Sequence, residues 1–90
     1  MRRAKKDGNH TAIVQALKAA GRSVLDLSTV GGGAPDLLVA SPRGDRTLLI
    51  EIKDPKGRNR VEPSQSRFHE SWKGELVVVR SPQEAIDASH

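Results

Sequence analysis

Two short apolar runs, joined by a Pro/Gly turn and carrying charge at one end, set the narrowest limits on what this chain can fold into. The stretch from Ala34 to Lys53 reads A-P-D-L-L-V-A-S-P-R-G-D-R-T-L-L-I-E-I-K. Leu37–Ala40 and Leu48–Ile50 have the length and character of strands, and Ser41-Pro42-Arg43-Gly44-Asp45 between them is turn-forming. Pairing of the two runs as a hairpin brings the start of the first beside the end of the second. Asp36 then meets Glu51 and Lys53. Residues alternate faces along a strand, so Glu51 and Lys53 project on one side while Ile52 points into the core. Two carboxylates and an ammonium at one sheet end can hold a hard divalent cation and act on a phosphate.

The rest of the chain limits what can surround this stretch. Ninety residues make one modest core, so residues 1–90 are expected as a single domain, with 1–8 as a flexible basic arm. Without cysteine there is neither a disulfide framework nor a thiolate metal site. No apolar run approaches a membrane span and no signal-peptide core follows the basic start, so a soluble cytoplasmic protein is expected. The formal net charge of +4 suits a polyanionic partner. Phe68 and Trp72 are the only aromatic residues, which argues against base stacking on an aromatic platform.

Arg2, Arg3, Lys5 and Lys6 concentrate positive charge at the start of the chain, as a solvated terminus or as an arm on a phosphate backbone. Asp7 or Asn9 can cap a first helix in which Ile13, Ala16, Leu17 and Ala20 share a face, and Gly21 stops it. Val24–Leu27 reads as a short strand. Gly31-Gly32-Gly33 breaks regular structure just before Asp36; it is either a linker or room for a substrate backbone at the site. Beyond Lys53, the polar loop from Asp54 to Arg60 adds Lys56, Arg58 and Arg60, which are solvated or track phosphates. A second helix begins near Pro63, with Gln65 open to a plain capping role relative to Glu62. Phe68 and Trp72, four residues apart on that helix, are expected in the core, and Gly74 is expected to end it. Leu76–Val79 is apolar throughout, as in a strand covered on both faces. Ser81-Pro82-Gln83-Glu84 forms a capping box that opens a terminal helix. The expected order is α-β-β-β-α-β-α. The strand–helix–strand step through Gln65 implies a parallel crossover, hence an α/β fold with a mixed sheet flanked by helices.

Gly33-Ala34-Pro35-Asp36-Leu37-Leu38-Val39, Glu51-Ile52-Lys53 and Gln65 together resemble the PD-(D/E)xK nucleases, specifically their VRR-NUC group, whose small stand-alone members occur in phages and bacteria. The resemblance runs from about Asn9 to Ala88. It implies a restriction-endonuclease-like core and Mg²⁺- or Mn²⁺-dependent hydrolysis of DNA phosphodiester bonds in a bacterial cell or phage-infected host. Asp36 and Glu51 would be metal ligands, joined by the Ile52 carbonyl. Lys53 would act on the attacking water and the scissile phosphate, and Gln65 would contact the water or the substrate. Nucleic acid would be met by Lys56, Arg58, Arg60, Arg67, Gly32 and Gly33. The stand-alone relatives imply a homodimer on branched DNA, a four-way junction or a flap. One departure stands out. Many relatives carry a glutamate on the first helix, where this chain has Asp7-Gly8-Asn9-His10. Asn9 or His10 could contribute there through a water or a phosphate contact, although His10 reads as exposed and incidental. The competing reading is a catalytically weak or inactive nucleic-acid-binding module of the same fold.

Overall fold

The computed structural model describes residues 8–55 and 63–90; for residues 63–65 it describes the backbone path only. The element order is α1 (Gly8–Ala19), β1 (Ser23–Asp26), β2 (Leu37–Ala40), β3 (Thr47–Ile52), α2 (Pro63–Ser71), β4 (Leu76–Val79) and α3 (Pro82–Ala88). The strands form one sheet in the order β1-β2-β3-β4. β1, β2 and β3 pair antiparallel as a meander, and β4 pairs parallel to β3 through the α2 crossover. The expected order and the mixed sheet are both present.

One face of the sheet carries the core. Leu37, Val39, Leu48, Ile50 and Val79 are buried there against Ile13 and Leu17 of α1 and Ala85 of α3, with Ile52 packed at the margin. Burying each such aliphatic side chain contributes about 1.5–3 kcal/mol, which holds α1 and α3 to the sheet. The spacing of His10, Ile13 and Leu17 along α1 puts all three on the buried stripe.

Two helix ends are fixed by residues that the sequence singles out. Gly21 adopts φ 87°. Its N–H reaches the Lys18 carbonyl and the Arg22 N–H reaches the Leu17 carbonyl, at 3.0 and 2.9 Å. This is the paired pattern of a Schellman stop. At α3, the Ser81 hydroxyl accepts from the Glu84 N–H at 3.1 Å, while the Glu84 carboxylate accepts from the Arg80 N–H at 2.6 Å. Ser81→Ala should lower stability by about 1 kcal/mol, measurable as a shift in the urea midpoint with unchanged slope. Asn9 lies inside α1 (Gly8–Ala19) and so does not cap it; Asp7, the other candidate cap, lies outside the described residues.

Three expectations are corrected. β4, at the edge of the sheet, is not covered on both faces: Val79 is buried, while Val78 is 43% exposed. The apolar run of β4 therefore reflects β-propensity as much as burial. Trp72 is 45% exposed rather than in the core. It stacks on Phe68 with ring centroids 5.4 Å apart, so the i, i+4 pair satisfies itself on the helix surface. α2 stops at Ser71, before Gly74. What Gly74 provides is space, since a Cβ there would come within 2.9 Å of the Trp72 indole nitrogen. Among the described residues no helix is long and apolar enough to cross a membrane.

Candidate active site

The hairpin register pairs Leu37 with Ile50, which sets Asp36 opposite Glu51 at one end of the sheet. Ile50 and Ile52 point into the core, so by alternation Glu51 leaves the sheet on the face away from α1 and α3. Glu51 is only 3% exposed, and the Lys53 ammonium lies 3.3 Å from its carboxylate. The Asp36 carboxylate accepts the Ile52 N–H at 2.8 Å, which locks it against the backbone between Glu51 and Lys53. Burial pushes the Asp36 carboxyl above its ordinary pKa. The Ile52 N–H and the charges of His10 and Lys53 pull it down, and Asp26 adds to the rise. Asp36, Glu51 and Lys53 therefore converge as hairpin pairing predicts.

The loop that delivers Asp36 is shaped by glycines. Gly31, Gly32 and Gly33 all have positive φ. A Cβ on Gly31 or Gly32 would meet nothing within 4 Å, so those two are required for backbone conformation and not for close packing.

On the other side of the site, His10 corrects the sequence reading. It is 6% exposed, and its Nε2 lies 3.1 Å from Asp26. Asp26 pairs with Leu37 in the sheet, so it leaves on the α1 face, where His10 meets it. Its other oxygen accepts from the Ser28 N–H and hydroxyl at 2.9 and 2.6 Å. Sequence reasoning missed Asp26 altogether. The signal for His10 was available in its i, i+3, i+7 spacing with Ile13 and Leu17. Asn9 turns inward as well. Its amide Nδ2 donates to the carbonyls of Lys53 and Arg80 at 3.0 and 3.3 Å.

The family model of the VRR-NUC domain matches residues 3–80 of the chain. The chain belongs to the VRR-NUC family. A solved structure described as a VRR_NUC domain is similar to it at 31% identity, covering 93% of this chain and 94% of that one, with a TM-score of 0.65. No curated protein sequence matches. The VRR-NUC family is a nuclease-type family, and the mixed sheet with flanking helices is the restriction-endonuclease-like arrangement.

Lys56, Arg58 and Arg60, like Arg2, Arg3, Lys5 and Lys6, lie outside the described residues. Gln65 falls in the first turn of α2, with its side chain outside what is described. Arg67 is exposed on the same helix. His69 of α2 has a shielded Nε2 with no hydrogen-bond partner among the described residues.

The donor set fits a hard divalent cation. Two carboxylates withdrawn from solvent on adjacent strands offer oxygen ligands suited to Mg²⁺ or Mn²⁺. Among the described residues no group of three or more His, Asp and Glu could hold a metal by itself. Asp36 and Glu51 would therefore be two protein ligands in a shell completed by main-chain, water or substrate oxygens.

Proposed function

We propose that this VRR-NUC domain is a metal-dependent endonuclease that hydrolyses DNA phosphodiester bonds. The observation that carries the reading is the meeting of Asp36, Glu51 and Lys53 at one sheet end, with Glu51 buried and 3.3 Å from the lysine ammonium. A buried glutamate and a half-buried aspartate share one lysine, and burying charge is unfavourable unless it is paired or coordinates a cation, so a bound cation would offset the second acid. Asp36, Glu51 and the Ile52 carbonyl would hold Mg²⁺ or Mn²⁺. Such an ion supplies Lewis acidity and neutralises phosphate charge. Lys53 orients the attacking water and offsets charge building on the scissile phosphate. Gln65, as the family resemblance implies, would contact the water or the substrate.

Specificity beyond the reacting phosphate comes from shape. Lys56, Arg58, Arg60 and Arg67 meet phosphates, while Gly32 and Gly33 let a strand approach Asp36. The family resemblance favours a cytoplasmic homodimer that puts two sites on one branched substrate. A cleavage assay on plasmid, flap and four-way-junction DNA with Mg²⁺, Mn²⁺ or EDTA tests the reading, with sedimentation to give the oligomeric state. Metal-dependent cleavage that prefers junction or flap is expected. Binding without cleavage in every metal would support the catalytically weak or inactive binding module instead. That second reading has one feature in its favour, the Asp7-Gly8-Asn9-His10 stretch where many relatives carry a first-helix glutamate.

Neutralising Lys56, Arg58 and Arg60 together should flatten the salt dependence of DNA affinity while leaving any sequence preference unchanged. Each lost phosphate contact lowers the slope of log K against log salt by about 0.9 on duplex DNA. An unchanged slope in a fluorescence-anisotropy salt titration would mean that these side chains are merely solvated.

A further inference from the structure

We propose that Asn9 is a positioning residue that sets Lys53 in the active site. This inference rests on the nuclease reading of Lys53, but it is carried by separate contacts. Lys53 is the first residue past β3, where strand pairing no longer dictates its conformation. Its N–H is still tied to the Val79 carbonyl at 2.9 Å. Its carbonyl is taken by the Asn9 amide at 3.0 Å, so the Lys53 main chain is gripped on both sides. The same amide reaches the Arg80 carbonyl at 3.3 Å, one residue past the end of the parallel neighbour β4. The Arg80 N–H is in turn held by Glu84 of the α3 capping box. One side chain in the first turn of α1 thus pins the ends of both parallel strands just beyond the sheet.

The chemistry suits the task. An amide NH₂ offers two donors, and the two carbonyls at the neighbouring strand ends need two. A hydroxyl of similar size offers one, and a carboxylate offers none. Lys53 has a long side chain whose ammonium must meet Glu51 on one side and a phosphate or water on the other. Fixing its backbone removes freedom that the flexible stem cannot remove for itself. Among the described residues the side-chain hydrogen bonds of Asn9 run to Lys53 and Arg80 and not to Asp36 or Glu51, so its effect on the site should pass through the lysine.

The test is a double-mutant cycle in the full chain. Asn9→Ala should lower the single-turnover cleavage rate at saturating DNA on the order of ten- to a hundredfold. DNA affinity in EDTA and Mn²⁺ affinity by calorimetry should change less than about twofold. In a Lys53→Ala background the same change should have almost no further effect on rate, because the two residues act as one unit. Multiplicative loss in the two backgrounds would overturn the inference and make Asn9 a general structural residue. Asn9→Gln keeps the donors, so it should recover part of the rate, and it carries the cycle if Asn9→Ala does not fold. If the parent chain cleaves nothing, the nuclease reading fails, and the inference is then judged by the Lys53 side-chain ¹³Cε and ¹⁵Nζ resonances. A shift on Asn9→Gln or Asn9→Ala supports it and unchanged resonances overturn it.

Discussion

Asp36→Asn is expected to abolish cleavage while leaving the fold and the DNA affinity in place. The substitution keeps the shape of the side chain and an oxygen able to accept the Ile52 N–H. It removes one of two charges that make the site attractive to a hard cation, so Mg²⁺ binding weakens and the chemistry that depends on it is lost. Stability without metal should hold or rise. Burial raises the Asp36 pKa above its unfolded value, so ionising this carboxyl in the folded chain is unfavourable. The penalty is absent below the unfolded carboxylate range and grows as pH rises through the folded pKa. Metal-free Asp36→Asn should therefore gain on the parent from acid to neutral pH, read as the difference in melting temperature. DNA affinity in EDTA should hold or improve, because a negative charge facing phosphates has gone. Unfolding of the variant would make Asp36 structural. Cleavage at the parental rate would mean that the proposed site is wrong.

Lys53→Ala should separate turnover from metal binding. The ammonium sits 3.3 Å from Glu51 and repels any cation held there. Removing it should keep or strengthen Mn²⁺ affinity in calorimetry. The rate should nonetheless fall on the order of 10²–10³, the usual loss when one electrostatic stabiliser of a transition state is deleted. Affinity lost with single-turnover cleavage surviving would reverse the assigned role and make Lys53 a structural partner of the acid pair.

The parts of this site legible in the sequence are those that depend on strand geometry alone. Period-two alternation and antiparallel pairing suffice to bring Asp36, Glu51 and Lys53 together, since a one-residue slip would turn the apolar set of β3 out of the core. The capping box at Ser81 and the stop at Gly21 were legible because each is completed within a few residues of chain. Trp72 and Val78 were misread because apolar character records a preference for burial, not the presence of something to be buried against. Whether a cover exists depends on distant elements.

By itself the sequence determined the element order, the mixed sheet, the hairpin register and the acid–acid–lysine set, along with the family to which they belong. Tertiary structure alone decided what surrounds that set. Asp26 and His10 are sixteen residues apart, and Asn9 is forty-four residues from Lys53. Each pair meets only because α1 lies across the sheet with its first turn at the strand ends. Contacts within a strand or helix follow from a fixed repeat, so spacing reveals them. Contacts between elements follow from how the core packs, and no local spacing encodes that.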